Sequence, residues 1–257
     1  MPTRWIEAGG VQLRYELTPS AAGGMPIVLV HEMGGMMESW EDVVPLLAAH
    51  GPVLRYDQRG SGLSEKPLGA VTTAIPADDL AALLDALEIR EKVAVAGCAV
   101  GAAVSATFAA RHAERVAALV LMSPATCVLP GREALVTERT RSLREKGVRA
   151  AYGLDRDPSA RTRYDAMCLA ADPRAFAEIW SMLGAMDMAA DLAAIRCPTL
   201  VAAGRRDTSR PPAHVREVAA QIPGARFVEL DTGHVMAIET PELAAATILD
   251  FLATLHR

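Results

Sequence analysis

Two short stretches near the end of the chain, A-G-R-R-D at 203–207 and D-T-G-H at 231–234, each follow an apolar run and end in a proton-handling residue. An aspartate bound to one ring nitrogen of a histidine leaves the other nitrogen free as a general base, so Asp207 and His234 are the candidate acid–base pair. A third stretch, G-C-A-V-G at 97–101, has the frame G-x-S-x-G, whose middle residue carries a nucleophile on a sharp strand-to-helix turn. Here the middle slot is Ala99, which has no nucleophile, and Cys98 stands one place early. Only the middle residue of such a turn projects into a site, so Ala99 marks the reactive slot and Cys98 reads as a small packing residue. The backbone N–H groups of Met33, in the early loop H-E-M-G-G at 31–35, and of Val100, at a helix start, are the candidate oxyanion donors. Backbone donors do not depend on side chains, so this part survives the missing serine.

These residues need strand ends to hold them. Continuous apolar runs at 27–30, 53–56, 93–96, 116–122, 199–203 and 226–230 predict strands buried on both faces. Residues 4–17 predict a hairpin turning at Gly9-Gly10. Helix-period segments at 40–49, 77–87, 100–111, 213–221 and 241–255 lie between them, the last with Thr240 as N-cap and Pro241 at its first position. This alternation predicts an α/β fold with a mostly parallel sheet flanked by helices. It fails over 124–196, where helix formers dominate, so a helical cap is expected there on a core made of 1–123 and 197–257. Residues 125–195 hold ten Lys/Arg and ten Asp/Glu, so charge does not say what that cap covers.

The 257 residues carry a net charge of −5, with 51% hydrophobic and 22% charged residues. That excludes general disorder and gives no basic footprint for nucleic acid. No apolar run has membrane-spanning length and the N-terminus lacks a signal-peptide pattern, so a cytoplasmic protein is expected. The dispersed cysteines Cys98, Cys127, Cys168 and Cys197 show no metal-ligand spacing, and neither metal nor cofactor is expected. The expected partner is a small-molecule substrate, and nothing in the sequence speaks to oligomeric state. Met33, Met36, Met37, Met182, Met186 and Met236 would form an adaptable apolar pocket if they converge, with Met36 and Met236 as candidate substrate contacts. In R-Y-D-Q-R-G-S-G at 55–62, Asp57 and Arg59 read as a charged pair bracing a tight turn. His31 reads as a loop brace and His112 as a surface residue.

The order of slots Ala99, Asp207, His234, together with the H-E-M-G-G loop, resembles the α/β-hydrolase family over essentially the whole chain. The stretches at 172–201 and 222–230 are similar to 3-oxoadipate enol-lactonases. The elbow G-C-A-V-G-A with R-Y-D-Q-R-G-S-G looks like the aminoacrylate hydrolases of pyrimidine breakdown, which also carry alanine in the serine slot. The resemblance implies a hydrolase of a small acyl, enol-lactone or enamine-type catabolic intermediate, with an Asp–His dyad activating water. Glu32 departs from the glycine usual in that loop and puts a carboxylate near developing negative charge. It is acceptable if protonated, turned away or paired with an arginine, and it is carried as a candidate catalytic residue; dienelactone hydrolase also has a glutamate after this strand. For Ala99 itself the alternatives are water attack in a natural enzyme, a serine replaced by design in an esterase or lactonase, or Cys98 as a displaced nucleophile. A cofactor-free lyase or oxygenase and a non-catalytic ligand-binding homologue are the rival functions.

Overall fold

The computed structural model describes residues 3–154 and 162–256. Strands β1 (Arg4–Ala8), β2 (Val11–Thr18), β3 (Ile27–Val30), β4 (Val53–Tyr56), β5 (Val93–Cys98), β6 (Val116–Met122), β7 (Thr199–Gly204) and β8 (Arg226–Leu230) form one sheet. Its order is β1-β2-β4-β3-β5-β6-β7-β8. Strand β2 runs antiparallel to both neighbours and the pairings from β4 to β8 are parallel. The β1–β2 turn uses Gly9 at φ 61° and Gly10 at φ 74°, the pair of left-handed residues that a two-residue hairpin turn demands.

Strands β3, β5 and β7 are buried along their whole length, which is why their sequences are unbroken apolar runs. Alternate residues serve two cores. Val28, Val30, Val93, Val95, Leu119 and Val201 face one side, under α2 (Ala74–Ala86), α3 (Val100–Arg111) and α8 (Pro212–Ala220). Ile27, Leu29, Ala94, Ala96, Val120 and Leu200 face the other, under α1 (Val44–Ala48) and α10 (Pro241–Ala253).

Three local expectations shift. The helix predicted over 40–49 shrinks to α1 behind a 3-10 turn at Met37–Trp40, because Pro45 fits only a first turn. Helix α2 starts three residues early, since Pro76 falls among first-turn positions whose N–H groups need no helical partner. Thr240 occupies the N-cap position of α10 but its hydroxyl does not cap; it donates to Thr232 Oγ1 at 2.8 Å, tying that helix to the loop after β8.

Between β6 and β7 the described residues hold helices only: α4 (Glu133–Ala151), α5 (Arg163–Ala170), α6 (Pro173–Gly184) and α7 (Ala189–Ala194). Leu143, Val148, Leu154, Cys168, Phe176 and Ala177 give α4–α6 a small core of their own. Helix α7 differs. Met188, Leu192 and Ile195 join the main core, and Thr107 of α3 donates to Asp191 at 2.6 Å. Among the described residues no helix is long and apolar enough to cross a membrane.

Candidate active site

The turn from β5 into α3 is built by its two glycines. A Cβ at Gly101 would collide with the His31 carbonyl, and one at Gly97 would meet the Gly101 carbonyl. Ala99 between them sits at φ 51°, ψ −114°, a conformation costly for any residue with a Cβ. Its N–H donates to the Met122 carbonyl at 2.9 Å, and its own carbonyl accepts from Ala103 and Ala125. Val100 follows as the first residue of α3, where an N–H has no partner within the helix. Ala99→Gly should relieve the strain and raise stability by a net of about 1 kcal/mol after glycine's entropic cost. A urea midpoint that falls instead would show that the turn holds no strain.

A cavity of about 340 Å³ lies over this turn, lined by Glu32, Met33, Ala99, Val100, Ala125 and His234 among others. These residues come from loops following β3, β5, β6 and β8, the edge where open parallel sheets gather their sites. His234 Nδ1 lies 2.7 Å from Asp207 Oδ2. The other carboxylate oxygen accepts from the Ser209 N–H at 2.7 Å and the Arg210 N–H at 2.9 Å. Burial pushes the Asp207 carboxyl up, but the hydrogen bond and charge of His234 and the Arg210 N–H outweigh it and hold the group below the usual carboxylate range. Asp207 is therefore an ionised acceptor, which puts the proton on Nδ1 and leaves Nε2 as the basic nitrogen.

Glu32 is inside, not turned to solvent: it is 1% exposed. Oε1 accepts from Ser39 Oγ at 2.8 Å and Oε2 has no partner. Burial pushes its carboxyl above the usual range, against the smaller opposing effects of His31, Ser39 and His234. No arginine pairs with it among the described residues. Of the three ways to accommodate this residue, the protonated form is the one that matches its surroundings.

The remaining candidates serve the scaffold. His31 donates from Nδ1 to the Glu32 carbonyl at 2.8 Å and accepts the Gln58 N–H at Nε2, 3.1 Å away, so it braces two loops. Asp57 and Arg59 do not pair with each other. Asp57 accepts from Arg14 and from the N–H groups of Met37 and Leu63, whereas Arg59 reaches across to Asp79. His112 is half-buried and bound to Asp78 at 2.8 Å. Cys98 is fully buried, burial pushes its thiol well up, and its Sγ lies 3.5 Å from the His234 carbonyl. It packs beneath the turn as a neutral thiol.

Three of the six methionines share a cluster, Met33, Met182 and Met186 packing with Val100 and Ala125, and the others do not join it. Met33 lines the cavity and Met182 packs with Val100 and Ala125, but Met37 and Met236 are core. Met36 and Met236, expected as substrate contacts, do not line it. Met236 opens a short helix, α9 (Met236–Glu239), and is buried between the sheet and α10. The segment after Met36 is anchored away, with the Met37 N–H held by Asp57 at 2.7 Å. The actual far wall comes from α4–α6: Tyr164 donates to the Met33 carbonyl at 2.7 Å, and Trp180 donates to the Tyr152 hydroxyl at 2.9 Å. Arg139 stacks over Tyr152 at 4.2 Å, and Arg132 and Arg210 also line the cavity. Sequence reading missed all of these; the spacing of 132 and 139 on one helical face was the only local signal for any of them.

A family model described as "Serine aminopeptidase, S33" matches residues 25–232. A carbamate hydrolase, so named, of Azorhizobium caulinodans is 30% identical over 96% of this chain and 97% of its own length. The 2-hydroxy-6-oxo-6-(2'-aminophenyl)hexa-2,4-dienoic acid hydrolase of Metapseudomonas resinovorans is 35% identical over 135 residues, and the match spans 46% of that enzyme. Among solved structures, the enol-lactonase from Burkholderia xenovorans LB400 superimposes with a TM-score of 0.88 at 30% identity, covering 97% of this chain and 100% of that one.

Proposed function

The chain belongs to the α/β-hydrolase family, and from that premise we propose that it hydrolyses a small activated carbonyl compound with water as the nucleophile. Enol-lactones, carbamates and enamine-type intermediates are the compounds in view, in keeping with relatives named for enol-lactone and carbamate hydrolysis. The observation that carries this reading is the 2.7 Å contact between Asp207 and His234 beside a turn tip that holds alanine.

In this mechanism His234 Nε2 takes a proton from water as the water oxygen bonds to the carbonyl carbon. Asp207 holds the ring in the required tautomer and stabilises the imidazolium that forms. The charge on the former carbonyl oxygen is met by the N–H groups of Met33 and Val100. Collapse of the tetrahedral species breaks the bond to the enolate or amine, which recovers the proton from His234. A neutral Glu32 beside these donors offers an O–H where an ionised one would repel the oxyanion. Because no acyl-enzyme divides the reaction into two easier steps, the substrate must bring a good leaving group.

Steady turnover without a burst of product on an enol-lactone, carbamate or enamine is the expected result for the protein with Ala99. Silence across that panel, with turnover appearing in Ala99→Ser, would instead identify a site that needs serine and overturn water attack.

A further inference from the structure

Ser123 is the first residue after β6, and hydrogen bonds of the site fix its backbone. Its N–H donates to the Ala202 carbonyl of β7 at 2.8 Å. The carbonyl just before it, on Met122, accepts the Ala99 N–H at 2.9 Å, and the Ala125 N–H just beyond it donates to the Ala99 carbonyl at 3.0 Å. Inside that frame Ser123 adopts φ 45°; Glu88 and Ala99 are the only other non-glycine residues with a positive φ among the described residues. Such a conformation is costly for a residue with a Cβ and persists only where its surroundings impose it.

The side chain adds a second cost. Ser123 is fully buried, and its Oγ makes no hydrogen bond in the resting geometry. A stranded hydroxyl destabilises a core, and alanine in the same place would avoid it. The loop after β7 supplies the matching acceptor. An ionised carboxylate has about four acceptor positions. On Asp207 the Ser209 and Arg210 N–H groups take two at Oδ1 and His234 takes one at Oδ2, so Oδ2 keeps one position open among the described residues. The Ser123 hydroxyl acts on this same group: after the rise from burial and the lowering by His234 and the Arg210 N–H, it draws the carboxyl further down. Hydrogen bonds of this kind are often long in a resting site and tighten in the reacting complex.

We propose that Ser123 is a positioning residue for the dyad, its hydroxyl donating to Asp207 Oδ2 so that the carboxylate stays aligned with His234 Nδ1. Alignment matters most as the imidazolium forms, so the effect on rate rests on the hydrolytic reading above; the hydrogen bond itself does not.

The test compares Ser123→Ala with Ser123→Gly. Both lose the hydroxyl, and glycine takes a positive φ without strain, so the second variant should fold whatever the first does. Carboxyl carbon NMR of the whole protein, with Asp207→Asn to assign the signal, should place the Asp207 midpoint about one pH unit higher in both variants. His234 and the Arg210 guanidinium, the charged groups that act on Asp207 or feel its charge, are unchanged in them. On an enol-lactone kcat should fall roughly tenfold in both while KM holds, whereas a merely structural serine would leave the glycine variant as fast as the parent. A midpoint that stays put in both variants, or a glycine variant with the parent's kcat, overturns the proposal. If the parent turns over no carbonyl substrate, the hydrolytic reading falls and the midpoint alone decides.

Discussion

An Asp207→Asn protein will fold as its parent does and lose about four orders of magnitude in kcat at neutral pH. The fold is spared because asparagine can turn its carbonyl oxygen toward the Ser209 and Arg210 N–H groups that Oδ1 now serves. That orientation points the amide NH2 at His234 Nδ1, which sits 2.7 Å from the present carboxylate. A donor there forces Nδ1 to accept, moves the ring proton to Nε2 and removes the base that water attack needs. The same substitution changes the acid limb of stability. Asp207 is held below the ordinary carboxylate pKa, so its contribution is complete above the unfolded value and is lost as pH falls through the folded one. That window lies below about pH 4, and it should vanish in the variant. Urea titrations from pH 2 to 6 measure the limb, and kcat and KM measured separately on an enol-lactone measure the rest. A loss of less than tenfold in kcat would mean that Asp207 does not set the tautomer of His234.

The strand-to-helix turn at Ala99, the positions of Asp207 and His234 and the loop of Glu32 were legible because each lies within a few residues of a strand end. A strand's length and apolarity are local properties, so Ala99, Asp207 and His234 could be assigned to one edge of a sheet before any contact was known. Gly97 was legible for a related reason, since the clash it avoids is with the Gly101 carbonyl that the turn itself brings near, whereas Gly101 makes room for the His31 carbonyl of another loop. The roof of the cavity was not legible. Arg132, Tyr152, Tyr164 and Trp180 come from three helices and the stretches flanking them, and what they share is made only when α4–α6 pack on one another. The balanced charge of 125–195 hid this, since a sum cannot say that two arginines face inward while Glu138 and Glu145 pair with Arg141 on the outside. The supposed Asp57–Arg59 pair failed on the same ground. Two residues apart, their side chains found Arg14 and Asp79 instead, each brought in from another element.

Glu32→Gln should abolish the parent's loss of stability with rising pH. The parent buries a carboxyl with one oxygen bound to Ser39 and the other unpartnered, and burial raises its pKa in the folded state alone. Between the unfolded and folded values the native protein then binds one proton more than the unfolded chain. With the sign worked through, unfolding free energy falls by about 1.4 kcal/mol for each pH unit across that interval, starting near the usual glutamate pKa. This is the opposite slope from that of Asp207 and occupies a separate window above it, so the two are resolved in one series of urea titrations. Glutamine has the shape of the neutral acid and no proton to lose; its carbonyl can take the Ser39 hydroxyl and its NH2 can replace the carboxyl O–H as a donor. The variant should therefore be flat across the interval above the usual glutamate pKa where the parent declines, and should keep kcat within about tenfold there, because neutral glutamate and glutamine present the same kind of donor to the oxyanion. Glu32→Ala separates shape from charge: it should also be flat, but less stable throughout for the cavity it leaves and for the Ser39 hydroxyl it strands. If the parent is already flat across that interval, Glu32 is ionised in the native protein. An ionised Glu32 would stand beside the N–H groups of Met33 and Val100 as a rival to the oxyanion they are positioned to receive.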